Sequence, residues 1–273
     1  MGMHNKYKGK VAIITGSRQG IGKTIAWNYA SMGASVVLNA RNADKLEITQ
    51  KEFQDAGFNS IAIAGDVSNW DFCQELCEKA KEQFGRIDII ITNAAIATRG
   101  NMESLNPDIY QKMININILG SVYPAKAAIP YLKETKGSIQ FISSIASYYG
   151  IPFNGIYSAT KNAINSIAQA THNELKPDGV FVGVTYVGFT ENEITKQILD
   201  TDGKVVVLPQ RNNVKKQNRN AVANSIISQI ENKKFKKTLT LTGKVLMLLS
   251  RFTPRLLKFI YKANLKKIEL SSK

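Results

Sequence analysis

From Lys10 onward, short apolar runs alternate with stretches whose apolar residues recur at the spacing of one helical face. The runs Val11–Thr15, Ser35–Asn39, Ile61–Ala64, Ile87–Ile91, Ser138–Ile142 and Val180–Tyr186 predict strands buried on both sides. The intervals near 20–32, 42–56, 69–84, 106–133 and 155–176 predict the helices between them. Each helical interval is used up in reaching the next strand, which leaves no room for a second domain before residue 242. Right-handed crossovers then give one doubly wound parallel sheet with helices on both faces. Residues 189–220 break the rhythm, being polar, aperiodic and marked by Lys215 and Lys216. Loops beyond the carboxyl ends of strands bound the ligand crevice of such a sheet, so this stretch is expected to be a substrate lid or a solvated loop.

Composition narrows the class without changing this picture. With 273 residues, 44% apolar and 21% charged, the chain is an ordinary globular sequence rather than a disordered or fibrous one. Cys73 and Cys77 have neither a second cysteine pair nor a nearby histidine, so no disulfide framework and no metal site is expected. The net charge of +15 is uneven: residues 233–273 hold 12 of the 36 lysines and arginines and a single acid, Glu269. The body is nearly balanced, so nucleic acid is not an expected partner. The start Met1-Gly2-Met3-His4-Asn5-Lys6 lacks the apolar region of a signal peptide, and Lys6 stands where a myristoylation motif wants Ser or Thr, so a cytoplasmic location is expected.

Three groups of residues carry chemistry. After the first strand, Gly16-Ser17-Arg18-Gln19-Gly20-Ile21-Gly22 runs directly into a helix. Gly16 permits the tight turn, Gly20 the approach of backbone to a pyrophosphate, and Gly22 close helix–sheet packing, while the helix N-terminus offers N–H groups to phosphate. The strand before it and the helix after it predict the dinucleotide loop of a Rossmann-type sheet. At the end of the second strand, where NAD-binding folds place an acid on the ribose hydroxyls, Asn39-Ala40-Arg41-Asn42 puts Ala40 and then an arginine fork suited to a 2′-phosphate, with Arg18 near by. NADP(H) is therefore the expected cofactor. Farther on, Tyr157 and Lys161 stand four apart on one helical face, just after Ser143-Ser144 at a strand end. An ammonium beside a phenol favours phenolate and so tunes a proton donor.

In this order these motifs make the chain resemble the classical short-chain dehydrogenase/reductase family over residues 10 to about 195. The resemblance rests on the Thr15-Gly16 loop through Gly22, Asp66-Val67, Asn93-Ala94-Ala95, Asn117, Ser144 and Tyr157-x-x-x-Lys161. It implies that Tyr157 donates the proton and that Ser144 polarises the substrate carbonyl. Lys161 is implied to hold the nicotinamide ribose and depress the Tyr157 pKa, and Asn117 to hold the water of a proton relay. Asp66 and Val67 are implied to contact adenine, Asn93 and Ala94 to support the cofactor, and Thr190 to bind the carboxamide. The chain departs from the pattern at Ala95, where the family usually has glycine, and at Val187-Gly188, where it usually has Pro-Gly. Pairing into a homodimer or homotetramer through the helices near 106–133 and 155–176 is also expected from the resemblance.

The segment 243–273 extends beyond this body and reads as a basic amphipathic helical tail. At about 100° per residue, Lys244, Arg251, Arg255, Lys258 and Lys262 fall within about 40° of one line, and Val245, Leu249, Phe252, Leu256 and Ile260 on a separate face. Thr253-Pro254 predicts a break between two helices. Such a segment is expected to lie on an anionic membrane, at its inner face, or else to dock on protein. The expected activity is NADPH-dependent reduction of a lipophilic ketone such as a keto-lipid, sphingoid or steroid-like compound. The alternatives are a carrier-bound 3-oxoacyl thioester, drawn by its acidic carrier, and a non-catalytic NADP-binding sensor or scaffold.

Overall fold

The computed structural model describes residues 5–191, 197–208 and 216–270. Apolar runs pair as six parallel strands: β1 (Val11–Ile14), β2 (Ser35–Ala40), β3 (Ser60–Ala64), β4 (Ile89–Thr92), β5 (Ser138–Ser144) and β6 (Phe181–Val187). Two short strands, β7 (Gln197–Leu199) and β8 (Val205–Val207), make a separate antiparallel hairpin, and β9 (Lys236–Thr238) joins the main sheet. The resulting order, β3-β2-β1-β4-β5-β6-β9, is that of a doubly wound, Rossmann-type sheet. Residue alternation along β1 sends Ala12 and Ile14 to one face and Val11 and Ile13 to the other. On the first face pack α1 (Gly20–Ser31), α2 (Ala43–Asp55) and α7 (Arg219–Glu231), through Ile25, Phe53 and Ile226. The second face is covered by α3 (Trp70–Phe84), α5 (Gly120–Thr135) and α6 (Gly155–Leu175), through Leu76, Leu132 and Ile164.

Three expectations are revised. A seventh strand, β9, pairs with β6 although its sequence Lys-Lys-Thr has no apolar run. The single helix expected over 106–133 is interrupted: α4 (Pro107–Met113) passes into a π-helical turn over Ile114–Leu119 before α5 begins. Past that turn α5 continues as an α-helix, with Pro124 and Pro130 inside it. Within the stretch 189–220, β7 and β8 pair as a hairpin, Leu199 of β7 bridges to Thr98 of the body, and Thr190 bridges to Gln217. Lys215 lies outside the described residues.

The tail forms α8 (Leu241–Phe252), α9 (Pro254–Ala263) and α10 (Leu265–Leu270), with the expected break at Thr253-Pro254. The first tail helix starts two residues before the expected boundary, capped by Thr240 Oγ1 accepting from the Gly243 amide at 3.0 Å. Gly243 is buried, and a Cβ there would lie 2.5 Å from the Ile145 side chain, so only glycine lets α8 approach the β5 loop this closely. Leu257 of α9 is also buried, at 3% exposure. The apolar stripe Leu241, Val245, Leu248 and Phe252 instead faces solvent, with Leu241 77% and Phe252 70% exposed. No described helix is long and apolar enough to cross a membrane.

Candidate active site

A cleft of about 1520 Å³ lies over the carboxyl ends of the strands and reaches from Arg41 to the tail. That is more than a single drug-sized ligand requires, and fits a dinucleotide and a second molecule side by side. Its near end is the glycine loop between β1 and α1. Gly16 has φ +64, and a Cβ there would meet Ala94 Cα at 2.8 Å, so the loop closes against the β4 end only because the side chain is absent. Gly20 also has positive φ, +62, with open space beside it on the cleft. A Cβ on Gly22 would lie 2.5 Å from both the Gly16 carbonyl and Asn93 Nδ2, which draws the start of α1 tight under the loop. Gln19 at the N-cap of α1 makes no side-chain cap hydrogen bond. The helix therefore presents its N–H groups and the positive end of its dipole to the cleft, a setting that fits a pyrophosphate.

The β4 end is fixed by Thr15, whose Oγ1 accepts from the amides of Asn93 at 3.0 Å and Ala94 at 3.1 Å. Asn93 in turn donates its side-chain amide to the carbonyls of Thr15 and Gly16. Beyond them Asp66 and Val67 line the cleft, and the Asp66 carboxylate accepts from the Ser68 amide and hydroxyl. Arg18, Arg41 and Lys45 line the same cleft. Lys45 was not singled out in the sequence, although its place four residues after Arg41 at the start of α2 was available as a signal. The three cations and the absence of an acid at Ala40 fit a dinucleotide bearing an additional phosphate.

Ser144 ends β5 and Tyr157 lies in the first turn of α6, and both line the cleft. Lys161, 3% exposed and one turn farther along, donates from Nζ to the Ile142 carbonyl at 3.0 Å. Its ammonium is 5.9 Å from the Tyr157 ring centroid. Ser143 Oγ donates to the Lys161 carbonyl at 2.9 Å, which locks α6 to β5 and so fixes the three groups relative to one another. Desolvation among the surrounding side chains raises the Tyr157 pKa, and the Ser144 contact pulls it down by less. The depression expected from Lys161 is thus reversed, because the ammonium is turned to the Ile142 carbonyl while the phenol sits among apolar neighbours.

Gly16, Arg18, Gln19, Gly20, Ile21, Arg41, Asp66, Val67, Asn93, Ala94, Ser144, Tyr157, Lys161 and Thr190 all line the cleft. Thr190 follows β6 and donates to the Gly188 carbonyl at 3.3 Å. Ser17, Gly22 and Asn117 lie beneath the cleft surface. The Asn39 amide donates to Ser17 Oγ at 2.9 Å, tying the glycine loop to β2. Asn117 sits in the π-helical turn, accepts from the Ile96 amide at 2.8 Å, and donates to the Ile96 carbonyl and to Thr160 Oγ1. Sequence reasoning also missed the tail's part in the cleft: Leu246 of α8 and Tyr261 of α9 line its outer end.

Comparison with known proteins agrees with this architecture. The short chain dehydrogenase family profile matches residues 10–203. An 11-beta-hydroxysteroid dehydrogenase A of Sesamum indicum is 34% identical over 204 residues, 73% of this chain and 58% of the relative. A 3-ketodihydrosphingosine reductase of Bos taurus is 34% identical over 202 residues, 70% of this chain and 61% of the relative. The match thus spans about three fifths of the length of these relatives. The solved structure of a gluconate 5-dehydrogenase from Burkholderia cenocepacia, in complex with NADP and tartrate, superposes with a TM-score of 0.76. It is 23% identical and covers 88% of this chain and 96% of its own, a likeness of fold. With its glycine loop, its ordered motifs and a matching profile over most of its length, the chain belongs to the short-chain dehydrogenase/reductase family.

Proposed function

We propose that the chain is an oxidoreductase that uses NADPH to reduce a lipophilic ketone to a secondary alcohol. The observation that carries this reading is that Ser144, Tyr157 and Lys161 line the same cleft as the glycine loop and as the apolar side chains of Phe189, Leu246 and Tyr261. The dinucleotide would lie along Gly16–Ile21 with its adenine beside Asp66 and Val67, its additional phosphate among Arg18, Arg41 and Lys45, and its carboxamide near Thr190. When bound it supplies the hydride. Tyr157 gives its proton to the carbonyl oxygen, and its raised pKa keeps it protonated at neutral pH. Ser144 hydrogen-bonds the same oxygen and stabilises the charge developing there. Lys161 holds the ribose hydroxyls at the floor of the cleft.

The lipophilic substrate is supported by these apolar lining residues and by the tail. On α8 the exposed stripe Leu241, Val245, Leu248 and Phe252 is apolar, and on α9 Leu256, Phe259 and Ile260 continue it, flanked by Arg255, Lys258 and Lys262. A solvent-facing apolar stripe bordered by cations suits the interface of an anionic bilayer better than a soluble acidic carrier, which would need the cations alone. The relatives named for keto-sphingoid and steroid chemistry point the same way. Two experiments test the reading. NADPH deuterated at both C4 positions and a detergent-dispersed long-chain ketone should give alcohol with deuterium on the carbinol carbon. Full-length protein should co-sediment with phosphatidylserine vesicles and lose this when Phe252 and Phe259 are changed to Ser; unlabelled alcohol or equal pelleting would contradict it.

A further inference from the structure

The tail carries two apolar faces, and only one of them is accounted for by a membrane. On α9, Leu256, Phe259 and Ile260 face outward, whereas Leu257 and Tyr261, four apart, turn toward the body. The Tyr261 ring stacks on that of Tyr149 with centroids 5.0 Å apart and planes 6° from parallel. Tyr149 follows the 3-10 turn Ile145–Ser147 that leaves the end of β5 at Ser144, and Ser147 Oγ donates to the Ser144 carbonyl at 2.7 Å. The same turn receives α8, because Gly243 lets that helix close on Ile145. Leu257 anchors α9 beside it at 3% exposure. The tail is therefore held at two points beside the segment that carries the candidate catalytic serine, and Leu246 and Tyr261 face into the cleft from there.

We propose that Tyr261, backed by Tyr149 and lining the cleft together with Leu246, determines substrate specificity by forming the outer wall of the chamber and packing against the hydrocarbon chain of the ketone. This rests on the reading of the substrate as a lipophilic ketone. A helix that only lay on a membrane would leave its inner face to any packing residue. Here that face presents an aromatic ring to the cleft, fixed by a stack to the loop following Ser144. Such a wall would contact long substrates and leave short ones untouched. Its contribution falls on binding rather than on the chemical step.

Full-length protein, Tyr261→Ala and Tyr261→Phe would be compared on butanone and on a detergent-dispersed long-chain methyl ketone, reading KM and kcat, with calorimetric affinity for the long ketone measured in the presence of NADPH. Tyr261→Ala is expected to weaken binding and raise KM for the long ketone about tenfold, with kcat and the butanone kcat/KM unchanged within about twofold. Tyr261→Phe, which keeps the stack, is expected to behave as the wild type. Tyr261→Leu serves in place of Ala if the latter loses its cooperative melt. Unchanged long-ketone affinity, or an equal loss on both ketones, overturns the proposal. Should the wild type bind the long ketone without turning it over, the reductase reading fails while the affinity comparison still decides the wall. If the wild type binds no long ketone, the wall proposal falls.

Discussion

The side-chain amide of Asn117 donates to Thr160 Oγ1 at 3.1 Å, which ties the π-helical turn to α6 one residue before Lys161. The same amide donates to the Ile96 carbonyl, and its oxygen accepts from the Ile96 amide. One buried side chain thus clamps the loop after β4, the turn and the helix bearing Tyr157 and Lys161. Asn117→Ala leaves the Ile96 amide and carbonyl without these partners and opens a polar cavity. Denaturant unfolding should show a loss of about 2–3 kcal/mol, and kcat should fall more than cofactor affinity does. A variant as stable and as active as the wild type would show that the clamp is dispensable.

Ser144 and Tyr157 make a prediction about pH. Reduction needs the neutral phenol, so activity persists through neutral pH and disappears as pH rises through the Tyr157 pKa, which desolvation holds above the ordinary tyrosine value. The Ser144 contact works in the opposite direction. Ser144→Ala should therefore move the basic limb of the kcat profile to higher pH while lowering kcat by roughly 10²-fold. A limb that stays in place or moves down would contradict the arrangement.

Arg41 tests the cofactor. With Arg18 and Lys45 it lines the cleft. Arg41→Ala should raise KM for NADPH by roughly 10- to 100-fold and leave KM for NADH within about twofold, because only the phosphorylated dinucleotide loses a charge-assisted contact. Equal changes with both cofactors would place Arg41 outside the recognition of the phosphate.

Asp88 governs stability in acid. Burial raises its carboxyl pKa, but hydrogen bonds from Arg86 at 2.7 and 2.8 Å, from the Val11 amide at 3.0 Å and from Lys10 at 3.0 Å outweigh it and hold the pKa below the ordinary value. A depressed folded-state pKa gives stability that is present above the unfolded value, about 3.9, and lost as pH falls through the folded one. Asp88→Asn should cost about 1–3 kcal/mol near neutral pH, limited by the half-exposed partners Lys10 and Arg86, and much less near pH 3. Melts recorded at both pH values check the difference; a cost that does not shrink in acid would contradict it.

Much of the sheet was legible because a parallel strand buried on both faces must be written as an apolar run, as Val11–Ile14 and Phe181–Val187 are. The edge strand Lys236–Thr238 gave no such signal, since pairing with β6 alone holds it. The glycine loop was legible from residue type, as a positive φ at Gly16 and Gly20 demands glycine. The pKa direction at Tyr157 was not, because spacing places Lys161 near the phenol without saying where the ammonium points. Nor can a helical wheel tell which side of a tail touches the body. Val245, Phe252, Leu256 and Ile260 of the apolar face read from the wheel are exposed, while Leu257 and Tyr261 turned inward unannounced.

The most direct test of the reductase account is oxidation of NADPH and, in parallel, NADH by the full-length protein with a detergent-dispersed long-chain ketone, set against Tyr157→Phe. The account predicts ketone-dependent turnover that favours NADPH, and its loss by about 10³-fold or more in Tyr157→Phe with NADPH binding retained. Turnover that prefers NADH, or that survives the loss of the Tyr157 hydroxyl, would contradict it.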